Sequence, residues 1–154
     1  MKLNFKTINI IRPDDWHIHL REGDMLKCVI NSATRIIGRC IVMPNLKIPI
    51  TSSTLCKKYK QEINNLVTVK YFKPLIPCYL TDSLDLEDFD QALRENLFIG
   101  AKLYPVNSTT NSEFGITKIE KIFSAIEILL KHNKPLLIHC EKSSKDISLF
   151  DREK

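Results

Sequence analysis

Five short apolar runs alternate with longer amphipathic stretches, and this alternation constrains the fold more than any single residue does. The runs read as strands at residues 15–20 (DWHIHL), 39–44 (RCIVMP), 74–80 (PLIPCYL), 98–104 (FIGAKLY) and 135–140 (PLLIHC). Helices are predicted between them over residues 24–32, 52–65, 85–96 and 117–132. In the last of these, Ile119, Ile122, Phe123, Ile126 and Leu130 recur at helical spacing, and Thr117 and Glu120 are spaced as a capping box. Ser83 or Asp85 is placed to cap the third helix. Strands that are apolar throughout, each followed by a helix, belong in a parallel sheet covered on both faces.

Two architectures satisfy that pattern. A doubly wound sheet usually carries a glycine-rich phosphate turn after its first strand, yet the chain has four glycines and no G-x-G-x-x-G. A (β/α)₈ barrel of the TIM type collects its chemistry at the C-terminal ends of successive strands. The polar residues gather there: His17, His19 and Arg21, then Asn45, then Lys102, then His139. An α/β barrel is therefore expected. At about 30 residues per βα unit, and about 250 for a whole barrel, 154 residues provide about five strands. The expectation is one partial barrel domain over residues 1–154, truncated after its fifth strand, with strands one and five left as apolar edges.

Composition narrows the function classes. The net charge is +5, but the basic residues are scattered and form no stripe interleaved with aromatics, which argues against nucleic-acid binding. No run of about 18 apolar residues occurs, so no membrane span is expected. The opening MKLNFKTINIIRP lacks the pattern of a signal peptide. Five cysteines, an odd number without a C-x-x-C pair, argue against a disulfide framework or zinc ribbon. They read as small buried hydrophobes in a reducing cytoplasm.

Alternation along an extended strand points residues i, i+2 and i+4 to one face, which would group His17, His19 and Arg21. Two imidazoles on one face can share a zinc ion, or they can be surface histidines. Asp14 and Asp15 either orient an imidazole or are solvated. Arg21 carries a planar fork suited to a carboxylate, and Asn45 either assists it or terminates a turn. A lysine within an apolar strand, Lys102, loses solvation, so its neutral amine becomes accessible and can add carbon dioxide to give a metal-binding carbamate. The alternative is a lysine that snorkels from a strand end. His139 ends the fifth strand and is aimed at the same mouth, with Glu141 read as facing away from it. His132 reads as a helix cap. Residues 106–115 (VNSTTNSEFG) form a loop beside that mouth and read either as a lid or as an ordinary connection.

Taken together and in order, DWHIHLREGDML, IVMPNL, CYLTDSL, AKLYPVNSTTNS and PLLIHCE resemble the short, single-enzyme bacterial dihydroorotases of the amidohydrolase superfamily. The resemblance begins near Ile11 and covers the first half of a typical family member. Cys140 stands where the family usually has glycine. The resemblance implies a cytoplasmic hydrolase of pyrimidine biosynthesis that reversibly cyclises N-carbamoyl-L-aspartate to dihydroorotate. It implies two zinc ions, held by His17, His19 and His139 and bridged by a carboxylated Lys102. Arg21 and Asn45 would grip the substrate carboxylate, and Thr109 and Thr110 would contact substrate from the loop. Full-length relatives are often homodimers. The family's strand-six histidine and strand-eight catalytic aspartate have no counterpart in these residues, so no catalytic residue is assigned and the chain alone is expected to be inactive. Alternatives are a non-catalytic remnant, a structural partner that retains the fold, or another cyclic amidase such as a hydantoinase or allantoinase.

Overall fold

The computed structural model describes residues 7–142 and 147–152. Its order is β1 (Asp14–Ile18), α1 (Gly23–Thr34), β2 (Arg39–Val42), α2 (Ser53–Leu66), β3 (Lys73–Leu75), β4 (Cys78–Tyr79), α3 (Leu86–Arg94), β5 (Ala101–Leu103), α4 (Phe123–Lys131) and β6 (Leu136–Ile138). A 3₁₀ turn at Ile119–Ile122 leads into α4, and another lies at Leu149–Asp151. All pairings between strands are parallel, in the orders β1-β2-β3 and β4-β5-β6. Among the described residues no helix is long and apolar enough to cross a membrane.

The third expected strand is divided in two. Lys73–Leu75 pairs with β2, and Cys78–Tyr79 pairs with β5. The break falls at Ile76 and Pro77, where proline has no N–H for a ladder. Ile76 still accepts from the Ile99 N–H (3.0 Å), and Cys78 donates to the Gly100 carbonyl (2.9 Å), so the chain passes from one neighbour to the other without leaving the layer. The two short sheets thus form one arc, with β1 and β6 at its open edges.

Each helix packs a narrow apolar stripe against the arc: Leu26 and Ile30 from α1, Cys56, Tyr59 and Ile63 from α2, Phe89, Ala92 and Leu93 from α3, Ala125 and Leu129 from α4. The leucine, isoleucine and phenylalanine side chains among them stabilise by about 1.5–3 kcal/mol each when fully buried. Ser52 caps α2 by accepting from the Leu55 N–H, and Asp85 caps α3 by accepting from Glu87 and Asp88. The expected capping box before α4 does not form. Thr117 donates instead to Asp82, through both its backbone N–H and its hydroxyl, and Lys121 closes on the same carboxylate. The apolar face assigned to this helix is also rotated: Ile122 is buried, whereas Ile119, Phe123 and Leu130 are exposed. Cys40, Cys56 and Cys78 are buried as expected, but Cys28 and Cys140 are exposed.

Gly100 shows how tightly the arc is closed. A Cβ there would stand 2.3 Å from the Pro135 carbonyl oxygen, the acceptor for the Ala101 N–H in the β5–β6 ladder. Gly100→Ala is expected to lower the unfolding free energy by about 1–3 kcal/mol, as overpacking against backbone does. Urea denaturation checks this; an unchanged midpoint would mean that β6 is not held against β5 in this way.

Candidate metal and substrate site

The candidate site residues lie within or just beyond the strands, toward their C-terminal ends. His17 lies within β1 and His19 just beyond it, after an irregularity in the β1–β2 register. Their Nε2 atoms are 3.3 Å apart, with ring centres at 5.2 Å. Two nitrogen ligands at about 2.0–2.1 Å from one tetrahedral ion lie about 3.3–3.4 Å from each other. Without an ion, the same separation is a long hydrogen bond in which one ring donates. Partial desolvation first, then the charge of Lys102, lowers the His17 pKa, with His139 adding to it and Asp15 opposing. His19 is lowered to about 4, by desolvation first and then by Arg21 and His17. His19 is therefore neutral, and able to act as a ligand, where an ordinary histidine is half protonated, and His17 is biased the same way.

Arg21 does not continue the strand alternation. Its φ is 60°, in the left-handed region that non-glycine residues rarely adopt. The Tyr59 hydroxyl holds that turn by donating to the Arg21 carbonyl at 2.6 Å. The guanidinium consequently reaches the rim over β2 and donates to the Asn45 carbonyl at 3.4 Å. Asn45 is buried, and its side-chain amide donates to the Thr110 carbonyl (2.8 Å) while Asn111 donates back to the Asn45 carbonyl (3.0 Å). This exchange fastens the loop at residues 106–115 to the rim. Arg21 and Thr110 line one cleft of about 570 Å³, with Met25 and Lys47 on its wall. Thr109 and Thr110 are exposed. The buried Asn45 Oδ1 has no partner of good hydrogen-bond geometry among the described residues, although the Asn45 side chain lies close enough to His19 to oppose the lowering of its pKa.

Lys102 is buried in the middle of β5 and pairs in register with Tyr79 and Leu137. Among the described residues no carboxylate pairs with its amine, whose nearest aromatic contact is the Tyr104 ring at 5.2 Å. Desolvation lowers its pKa. His139 follows β6; its Nε2 meets Glu141 at 2.9 Å, and Arg152 closes on the other Glu141 oxygen at 3.3 Å. Glu141 was expected to face away and instead fixes that ring, because the chain turns after Ile138. Asp14 and Asp15, in contrast, orient neither imidazole: Asp14 pairs with Arg39, and Asp15 accepts from the His17 backbone N–H. His132 bridges α4 to Asp90 on α3 at 2.8 Å, a structural tie.

No group of three or more His, Cys, Asp and Glu side chains among the described residues makes a metal site. The donor set nevertheless fits one if the buried lysine becomes an anion: two converging imidazoles, both biased toward the neutral form, lie near an amine that has no carboxylate partner among the described residues. The sequence pattern does not single out Tyr104 or Asn111, and it puts Glu141 on the opposite face. Strand alternation from Lys102 to Tyr104 is the available signal for the first.

The His19 shift has a stability consequence of definite sign. Its folded pKa of about 4 lies below the ordinary value of 6.5, so the unfolded chain takes up its proton first as pH falls. Metal-free protein should therefore lose stability from about pH 6.5 down to about 4, and His19→Gln should lose less. Urea midpoints across that range test this; identical pH slopes in the two proteins would contradict it.

No protein-family model matches the chain. Two curated relatives named dihydroorotase, from Salmonella heidelberg and Salmonella arizonae, are each 48% identical over 149 residues, covering 96% of this chain and 43% of the relative. The chain thus spans less than half the length of these relatives. A dihydroorotase structure from Campylobacter jejuni superposes with a TM-score of 0.81 at 33% identity, over 92% of this chain and 41% of that one. A Saccharomyces cerevisiae dihydroorotase in complex with 5-fluoroorotic acid gives 0.80 at 28% identity, over 88% and 37%. An L-hydantoinase from Arthrobacter aurescens, at 16% identity and a TM-score of 0.66, shares the fold. The arc of parallel strands is accordingly part of a (β/α)₈ barrel.

Proposed function

Because this chain is homologous to the amino-terminal part of the dihydroorotases, we propose that residues 1–154 form the metal- and substrate-holding part of a zinc-dependent cyclic amidohydrolase. Its reaction is the reversible cyclisation of N-carbamoyl-L-aspartate to dihydroorotate, a cytoplasmic step of pyrimidine biosynthesis. The observation that carries this reading is the convergence of His17 and His19 beside a buried amine that has no carboxylate partner among the described residues.

His17 and His19 would hold one zinc ion through their Nε2 atoms, and His139 would offer its remaining ring nitrogen to a second. Zinc supplies polarisation of the ring-amide carbonyl and acidifies bound water. Lys102, desolvated and so able to shed its proton, would take up carbon dioxide to give a carbamate, whose negative charge would help hold the metal. Arg21 donates its fork to the substrate carboxylate at the rim, beside the Asn45 amide. Thr109 and Thr110 hydrogen-bond the substrate from the loop that Asn45 and Asn111 fasten. None of these groups is placed to carry the proton to and from the ring nitrogen, so that task falls to the part of the barrel that these residues lack. Homodimerisation, frequent in the family, belongs to the complete enzyme.

The test is a graft. Residues 1–154 joined to the remaining part of the Salmonella heidelberg relative are expected to hydrolyse dihydroorotate with zinc and bicarbonate present. Lys102→Ala in that graft should lower kcat/KM by more than about 100-fold, beyond the loss typical of an outer partner. A folded, zinc-loaded graft without turnover would overturn the reading.

A further inference from the structure

Tyr104 lies in this mouth, and neither the packing nor the chemistry proposed above uses its hydroxyl. The residue is 1% exposed, with its ring stacked on Tyr79 at 5.1 Å and tilted against His139 at 5.9 Å. Lys102 precedes it by two residues, on the same side of an extended chain, with its amine 5.2 Å from the ring centre. The Tyr104 hydroxyl is buried and has no hydrogen-bond partner among the described residues. The neighbouring Tyr79 hydroxyl has one, donating to the Asn111 carbonyl at 3.2 Å. Burying an unpaired hydroxyl is unfavourable, whereas phenylalanine fills the same space without that loss. The hydroxyl therefore calls for an acceptor that the described residues do not supply.

We propose that Tyr104 is a positioning residue for modified Lys102, its hydroxyl donating a hydrogen bond to a carbamate oxygen carried on that side chain. This rests on the carboxylation of Lys102 argued above. In that step the Nζ lone pair forms a bond to the carbon of carbon dioxide, one C=O electron pair moves onto oxygen, and an Nζ proton leaves to solvent. The product is an anion in a poorly solvated pocket, where a hydrogen bond to charge is stronger than one between neutral groups. His139 does not compete for the carbamate through Nε2, because that nitrogen already meets Glu141. Tyr104 thereby fixes the plane of the carbamate, and with it the direction of both oxygens.

The experiment compares the 154-residue chain with its Tyr104→Phe and Lys102→Ala variants, titrated with ¹³C-bicarbonate and read by the carbamate ¹³C resonance. The unsubstituted chain should give the resonance and Lys102→Ala should not. Tyr104→Phe should need roughly tenfold more bicarbonate for half-saturation, as loss of one hydrogen bond to a charged group requires. Without bicarbonate, Tyr104→Phe should melt at or above the temperature of the unsubstituted chain. Equal bicarbonate dependence in the two would overturn the proposal and leave carboxylation standing. A lower melting temperature without bicarbonate would make the hydroxyl structural and also overturn it. Absence of the resonance from the unsubstituted chain would remove the carboxylation reading itself, and this proposal with it.

Discussion

A polypeptide of residues 1–154 is expected to show no measurable hydrolysis of dihydroorotate, even with zinc and bicarbonate supplied. Metal-assisted amide hydrolysis needs an activated water, a polarised carbonyl and a group that delivers a proton to the leaving nitrogen. In the proposed site His17, His19, Lys102 and His139 would address the first two needs, and nothing among the described residues would address the third. Glu141, which contacts His139, is committed to that ring and to Arg152, and its pKa is lowered chiefly by the His139 contact. It is thus held ionised and occupied. The barrel wall is incomplete as well: Trp16 on β1 and Ile138 on β6 are 53% and 56% exposed at the two open edges. A second copy of the chain would repeat these strands without supplying the others. Turnover at the ordinary enzyme scale of about 1–10³ s⁻¹, abolished by Lys102→Ala, would contradict the account.

Lys102→Met should stabilise the metal-free protein, in the absence of bicarbonate, by about 1–3 kcal/mol, while abolishing any response to zinc and bicarbonate together. Methionine nearly conserves the volume and removes a buried amine that has no anionic partner among the described residues. Because the folded pKa of Lys102 is lowered, the unfolded chain binds its proton more readily. The advantage of methionine should therefore persist at neutral pH and shrink only as pH rises toward the ordinary lysine value of 10.5. Opposite effects on stability and on function are the mark of a residue kept for its chemistry. A destabilised Lys102→Met protein, measured by urea unfolding without bicarbonate, would instead make the amine part of the packing.

The architecture was legible because its determinants are local. Apolar strands and one-faced helices specify the parallel layer, and Ser52 and Asp85 mark helix starts where they were expected. Details that depend on distant partners were not legible. Pro77 divides a strand whose halves choose different neighbours, a choice made by β2 and β5. Asp82, 35 residues away, draws Thr117 out of a capping box. Strand alternation placed His17 and His19 together but failed at Arg21, where the Tyr59 hydroxyl stabilises a left-handed turn. The apolar period before β6 ran through Ile119, Phe123 and Leu130, which stay exposed, while the small Ala125 meets the core. Alternation puts Glu141 on the far side only if the strand continues past Ile138, where β6 ends.

Zinc bound per chain at equilibrium, with and without bicarbonate, tests the central claim most directly: His17, His19 and a carboxylated Lys102 form one metal site. The account predicts that the unsubstituted chain retains zinc through dialysis, that bicarbonate tightens its hold, and that the His17→Ala/His19→Ala protein loses both effects while remaining folded. Undiminished, bicarbonate-dependent zinc uptake by that double variant would contradict it.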